Sequence, residues 1–241
     1  RPRVPSAFPP ATPFGEARFD PVEAEVANSF EVGARHQTRL LYLDGALYYY
    51  RYKNFETIRQ EGTLFVTDNA GRAANYGFEG QARVQPSRDV SIFATYNYNH
   101  GRFKSGAFEG NRFRLSPDHK LSLGATLGAD IGPGRLDFTP TLTYQSKIFF
   151  DDNNERSDLQ TFRTGALVPD LIRDEFQKGY ALVNARLGYT LLQQYRVEAF
   201  VNNAFDKKYI KDAGNTGDAL GMPTFIAGEP RTYGLQLSAG F

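Results

Sequence analysis

The stretch KLSLGATLGADI, Lys120 to Ile131, restricts the fold more than any other part of the chain. Leu121, Leu123, Ala125, Leu127, Ala129 and Ile131 share one parity, while Lys120, Ser122, Gly124, Thr126, Gly128 and Asp130 share the other. Side chains of a strand alternate between two faces, so this is a strand with one apolar and one polar side. A helix would scatter both sets around its circumference. Beyond the turn Gly132-Pro133-Gly134 the pattern resumes, with Leu136, Phe138, Pro140, Leu142 and Tyr144 against Arg135, Asp137, Thr139, Thr141, Thr143 and Gln145. Pro140 is the irregularity: without an amide hydrogen it predicts a missing ladder bond or a bulge.

The same alternation recurs in both directions. Phe30, Val32 and Ala34 oppose Glu31, Gly33 and Arg35; Tyr76, Phe78, Ala82 and Val84 oppose Asn75, Glu79, Gln81, Arg83 and Gln85. Val90, Ile92, Ala94, Tyr96 and Tyr98 oppose Ser91, Thr95, Asn97 and Asn99, with Phe93 out of place. Ala181, Val183, Ala185, Leu187 and Tyr189 form another apolar set, and Tyr233, Leu235, Leu237, Ala239 and Phe241 the last. In YRVEAFVNNAFDKKY, Tyr195, Val197, Ala199 and Val201 oppose Arg196, Glu198 and Asn202. The segment LDGALYYYRYKNF, Leu43 to Phe55, is strand-like, but its three consecutive tyrosines leave the facing open. Nine strands are predicted, near residues 28–38, 43–58, 74–85, 90–101, 118–131, 134–149, 178–190, 194–203 and 231–241.

The links between them carry a second argument. Those at 39–42, 86–89, 131–134 and 191–193 are short; those around 59–73, 102–117, 150–177 and 204–230 are long, and the two kinds alternate strictly. If the strands are antiparallel neighbours, every turn lies at one end of the sheet and every long loop at the other, as in outer-membrane barrels. A soluble sandwich needs no such asymmetry, and loops beyond about 15 residues are uncommon in compact domains unless functional.

Composition decides which medium the apolar face meets. No apolar run approaches the roughly 20 residues of a membrane helix, so a helical membrane protein is excluded. A barrel is not, because its strands cross with about ten alternating residues each. The polar face, rich in Asn, Gln, Arg, Asp and Glu, is too polar for the dry core of a soluble barrel or sandwich. The 20 Phe and 14 Tyr gather toward strand ends, where an interfacial girdle would place them. Cysteine is absent, which removes disulfides, thiolate chemistry and Cys-ligated zinc. A net charge of +1 gives no global basic field, and no nucleic-acid-binding motif accompanies it. The chain opens on Arg1 rather than Met, so its start reads as processed or internal.

Catalytic and metal readings find little support. His36, His100 and His119 are the only histidines, read as rim or surface residues, and no HExxH spacing exists. The run DDNNE, Asp151 to Glu155, lacks the glycine and glutamate spacing of an EF-hand loop and reads as a solvated loop. Asp130 and Asp137 form a weak candidate carboxylate pair. Serines lie in no GxSxG context, and GNTGDALG, Gly214 to Gly221, lacks the lysine of a phosphate loop. No catalytic residue, resident cofactor or metal is expected.

Several segments taken in order then carry a resemblance: EVGAR (Glu31 to Arg35), YYYRYKNF (Tyr48 to Phe55), NAGRAANYGFEGQARVQP (Asn69 to Pro86), YQSKIFFD (Tyr144 to Asp151), VNNAFDKKY (Val201 to Tyr209) and GEPRTYGLQLSAGF (Gly228 to Phe241). Together they resemble the C-terminal part of a TonB-dependent outer-membrane receptor of the siderophore type. The resemblance implies an all-β fold, an antiparallel transmembrane barrel portion of nine strands from an expected 22-stranded, plugged barrel. It implies residues 1–27 as an extracellular loop or irregular segment and 28–241 as barrel strands. Implied too are a Gram-negative outer-membrane location and uptake of a scarce ligand, foremost a ferric siderophore complex, as transported ligand rather than cofactor. Haem, cobalamin and saccharides stay open as ligands. The implied partners are the TonB-ExbB-ExbD complex, reached through a plug region absent from this sequence, the outer-membrane assembly machinery reading Phe241, and lipid with lipopolysaccharide. Nucleic acid is not among them. The candidate ligand contacts are the loop and strand-end residues Tyr49, Arg59, Phe65, Arg102, Phe103, Phe108, Phe149, Phe150, Arg156, Phe162, Arg163, Phe225 and Arg231. Two rivals remain: a small complete outer-membrane barrel acting as a pore or enzyme, and a soluble all-β binding module. A lone nine-stranded piece is expected neither to transport nor to be stable, since lipid cannot satisfy open strand edges.

Overall fold

The computed structural model describes residues 22–61, 64–156, 175–214 and 224–240. Nine long strands dominate: β1 (Val26–Gln37), β2 (Leu41–Lys53), β5 (Ala73–Val84), β6 (Val90–Phe103), β7 (His119–Ile131), β8 (Gly134–Gln145), β11 (Tyr180–Leu191), β12 (Tyr195–Asn202) and β15 (Thr232–Ala239). They form one antiparallel sheet in that order, each strand beside its neighbours in the chain of nine. Three small hairpins decorate the long links: β3 (Glu56–Glu61) with β4 (Leu64–Asn69), β9 (Ile148–Phe149) with β10 (Phe176–Gln177), and β13 (Ile210–Gly214) with β14 (Thr224–Ala227). No described helix is long and apolar enough to cross a membrane, which says nothing of strands that cross.

The nine expected strands are the nine observed, and two of them end earlier than expected. β2 stops at Lys53 rather than 58, because Asn54 takes a left-handed φ of 54° and turns the chain into β3. Asparagine is among the residues that tolerate this region. β8 stops at Gln145, and Ile148–Phe149 form a separate short strand paired with Phe176–Gln177.

Pro140 introduces no bulge. Pairing with β7 runs from Gly124↔Thr141 to Leu127↔Phe138 in constant register, with the pairs opposite Pro140 and Thr139 missing. The Thr126 and Thr139 hydroxyls lie 3.2 Å apart across that gap. The proline therefore costs ladder bonds on one side only, and the strand stays straight in register.

Register settles the facing of the tyrosine run. Tyr49 pairs with Phe30 and Tyr76, and Tyr76 with His100, on the apolar face. Tyr48, Tyr50 and Tyr52 fall on the polar face, opposite Glu31, Ser29 and Ala27. The exception Phe93 is also explained. It stands on the polar face and its ring covers Gly124, where an added Cβ would sit 2.3 Å from the ring. Phe200 lies over Gly234 in the same manner, so each out-of-place aromatic rests on a neighbouring glycine.

The apolar face has no partner layer. Phe30, Leu47, Leu123, Leu127, Leu187, Val197 and Leu235 are all exposed on it, a continuous band that a lipid medium would cover. The sheet is a section of barrel wall, open at β1 and β15. Among the described residues two buried clusters lie at the long-loop end: Ala70, Ala73 and Phe103 with Tyr52, Phe55, Phe108 and Phe113, and Ile148, Phe150 and Ala213 with Ile210.

Candidate functional site

The polar face holds a hollow of about 770 Å³ spanning β1 to β11. A second, of about 450 Å³, continues it toward the long-loop end. One cross-sheet row supplies Glu79, Asn97, Lys120, Gln145 and Tyr180, because these residues are in register on successive strands. The Asn97 amide donates to the Glu79 carboxylate at 2.9 Å. Above this row climbs a tyrosine ladder, with Tyr48 and Tyr50 edge to face at 5.7 Å and Tyr50 and Tyr52 stacked at 6.3 Å. Tyr48 Oη donates toward the Tyr98 carbonyl at 3.2 Å and the Asn99 side-chain oxygen at 3.1 Å, which fixes the foot of the ladder. Two-residue spacing makes such a ladder a direct product of strand geometry.

Toward the short-turn end the polar face is lined by ion pairs. Arg35 binds Asp44 at 2.6 Å; Arg135 reaches both Asp89 and Asp130, and Arg88 also pairs with Asp130. Arg196 bridges Asp137 and Glu198, and Glu198 takes Arg186 as well. Asp130 and Asp137 thus belong to separate arginine networks and do not form a carboxylate pair.

At the other end the long loops knit into a layer. Asp152 is its centre: Oδ2 accepts from Thr57 Oγ1 at 2.7 Å, Oδ1 accepts from the Arg114 amide at 2.9 Å, and its carbonyl accepts from Asn111 Nδ2 at 2.7 Å. Asn154 acts as a substitute strand, accepting from the Arg112 amide at 2.6 Å and donating to the Arg112 carbonyl at 3.0 Å. Three separate loops meet in these bonds. The reading of Asp151 to Glu155 as a solvated loop is therefore corrected: Asp152, Asn153 and Glu155 are buried. Short polar side chains serve there to satisfy backbone groups that packing removes from water. Burial pushes the Asp152 carboxyl above the ordinary carboxylate range, against the opposing hydrogen bonds from Thr57 and Arg114. Among the described residues no cluster of His, Asp or Glu is arranged to hold a metal ion.

The expected ligand contacts separate into groups. Phe103 and Phe150 are 1% and 0% exposed and form the loop core, so they are structural residues, a correction to their place among the contacts. Phe108 packs on Phe103. Tyr49 is corrected too, since its ring is on the apolar outer face, away from the hollow. Arg102 is held by Asp118, which Arg112 also binds, and Arg156 donates to the Glu109 carbonyl at 3.0 Å. Phe149 shares Lys147 with Phe176, the ammonium lying 4.1 and 3.9 Å from the two ring centres. Burial there lowers the Lys147 pKa. Phe225 is exposed on β14, and the Arg231 amide donates to Asp206. Arg59 and Phe65 belong to the β3–β4 hairpin; Phe162, Arg163 and the assembly residue Phe241 lie outside the described residues. The hollow's own residues, Tyr50, Tyr52, Glu79 and Lys120, were not among the expected contacts. Their shared parity was the signal, once the facing of β2 was fixed.

An open wall with an apolar outside, a polar hollow and its long loops at one end fits one sector of a transmembrane barrel. The family model described as TonB dependent receptor-like, beta-barrel matches residues 3–204. This chain belongs to that family. A ferrioxamine receptor of Yersinia enterocolitica is 31% identical over 214 residues, covering 86% of this chain and 26% of the relative. A pesticin receptor of Yersinia pestis is 23% identical over 191 residues, covering 78% of this chain and again 26% of the relative. Among solved structures, the ferric yersiniabactin uptake receptor FyuA of Yersinia pestis superposes with a TM-score of 0.76 at 21% identity, over 95% of this chain and 32% of that one. The chain thus spans about a quarter of the length of the curated relatives it matches. These relatives are named as receptors, and the rival readings of a soluble module or a small complete barrel give way to the family.

Proposed function

We propose that this chain is a wall sector of an outer-membrane receptor that imports a ferric siderophore complex with energy delivered through TonB. The observation that carries the reading is the pairing of a polar hollow with a knitted layer of long loops at one end of the wall. A ligand captured at the loops would meet hydrogen-bonding side chains on its way inward, while the apolar band outside holds the wall in lipid. The 31% identity to a ferrioxamine receptor favours an iron complex over a saccharide or cobalamin. In this reading the ExbB and ExbD proteins and the outer-membrane assembly machinery are partners of the whole receptor. Phe225 and Arg231 stay as proposed loop contacts. The Gram-negative outer membrane is its location.

The test is growth under iron limitation. Cells whose receptor gene is deleted should lose growth on the cognate ferric complex and regain it from a plasmid copy, and deletion of TonB should abolish the rescue. Rescue that persists without TonB would end the proposal.

A further inference from the structure

We infer that the outer face of this wall, just above its aromatic row, binds the phosphate groups of an outer-leaflet lipid headgroup. The inference goes beyond the uptake reading and shares with it only the setting of the apolar band in lipid. Toward the long-loop end the outward rows of β1, β2, β5 and β6 change character step by step. Val32, Leu47, Phe78 and Tyr98 are in register, followed by Phe30, Tyr49, Tyr76 and His100. The next row is Asn28, Arg51, Ala74 and Arg102. Above it Lys53 continues the parity of Arg51, and the Lys104 amide donates to the Arg72 carbonyl at 2.7 Å. Each row lies about 7 Å further along the strands, or about 5 Å higher at a tilt near 40°. Charge therefore begins one step above the ring-bearing rows, at the depth where headgroups replace acyl chains.

The charge is of one sign. Arg112 pairs with Arg102 through an isolated bridge, which completes a strip of six cations: Arg51, Lys53, Arg72, Arg102, Lys104 and Arg112. Asp118 is shared by Arg102 and Arg112, one carboxylate between two guanidiniums. Arg51, Lys53, Arg72 and Lys104 are exposed and have no ion pair among the described residues. The Asp118 clamp also fixes two guanidiniums without exhausting them. Arg102 spends three of its five donors on Asp118 and the Gly101 carbonyl, and Arg112 spends two on Asp118 and the Lys147 carbonyl. A phosphate monoester carries about −1.5 to −2 charge and accepts paired N–H bonds from arginine. The hollow cannot be the destination of this field, because its lining residues Tyr50 and Tyr52 have the opposite parity on β2. A lipid headgroup standing beside the wall is the anion that meets the strip from outside.

The experiment titrates the purified full-length receptor containing this chain, in detergent micelles, with a bis-phosphorylated lipid A, and counts bound lipid by native mass spectrometry. Lipid A stripped of both phosphates should bind at least about tenfold more weakly. The triple variant Arg51→Gln, Lys53→Gln, Lys104→Gln spares the Asp118 clamp and should weaken the phosphorylated lipid about a hundredfold, at about fivefold per cation. Lys207→Gln with Lys208→Gln, in the link after β12 at the far side of the sheet, should change binding by less than about twofold. Equal binding of the two lipids, or a triple variant that binds like wild type, would overturn the inference. So would displacement of the lipid by equimolar inositol hexakisphosphate, since the strip would then be a site for soluble phosphate. Growth under iron limitation judges the uptake reading separately, and rescue without TonB would end that reading while leaving the lipid site in place.

Discussion

Phe103→Ala separates a structural residue from a ligand contact. The ring is 1% exposed and meets Phe113 at 5.1 Å, Phe55 at 5.4 Å and Phe108 at 5.5 Å. Its backbone also anchors the following loop, accepting from the Gly110 amide and donating to the Asn111 carbonyl. Truncating such a ring costs about 3–5 kcal/mol, the transfer term plus the cavity left behind. Lost edge-to-face pairs, each about 0.5–1.5 kcal/mol, fall within that figure. At 4 kcal/mol, about the middle of the range, the open population of the loop layer rises by nearly three orders of magnitude. Native-state hydrogen exchange on the purified full-length receptor reads this directly, as lost protection in 54–72 and 104–118 with the strands below unaffected. Phe103→Leu should restore most of the protection, since a leucine refills much of the volume. Phe225→Ala, at an exposed ring on β14, should leave exchange unchanged. If Phe103→Ala kept full protection and only weakened ligand binding, Phe103 would be a contact after all and the packing argument would be wrong.

Two further outcomes test the facing of the wall and the buried carboxylate. Leu123→Arg puts a charge on the outer apolar face and should cost about 2–4 kcal/mol in receptor refolded into lipid vesicles, whereas Ser122→Arg, one residue away on the hollow side, should cost under about 1 kcal/mol. Equal costs in urea unfolding would refute the facing. Because burial raises the Asp152 pKa, the folded loop layer binds that proton more tightly than the unfolded chain. This contribution to stability is therefore lost as pH rises through the raised folded pKa, and is regained as pH falls from there toward the ordinary carboxylate value. Asp152→Asn should flatten that slope, read as protection factors in 104–118 corrected for intrinsic exchange; a wild-type layer that loosens on acidification across the same window would contradict the assignment.

The wall was legible in the sequence because a membrane strand declares itself twice, by parity and by the lengths of the links around it. Both signals are local, and both survive in a chain that carries only a sector of the barrel. Even the exceptions were informative: Phe93 broke the parity of its strand because it covers Gly124, and the break marked a real contact between adjacent strands. The loop layer was not legible, for a reason that parity cannot mend. An aromatic at a strand end serves equally well to pack a loop or to meet a ligand, so Phe103, Phe150 and Tyr49 looked alike although two are buried and the third faces outward. A polar run is equally double in meaning. Asp151 to Glu155 has the composition of a solvated loop, yet Asp152 and Asn154 use their short side chains to engage backbone groups of residues 112 and 114.

The arginines follow the same logic. Read singly, Arg102 invites an anionic ligand. Placed beside Asp118, with Arg112 on the same carboxylate, it becomes part of the scaffold. Pairing across strands and loops, which no single stretch of sequence contains, therefore decides which charges stay unmatched; among those lining the hollow's upper part are Glu31, Glu79 and Lys120.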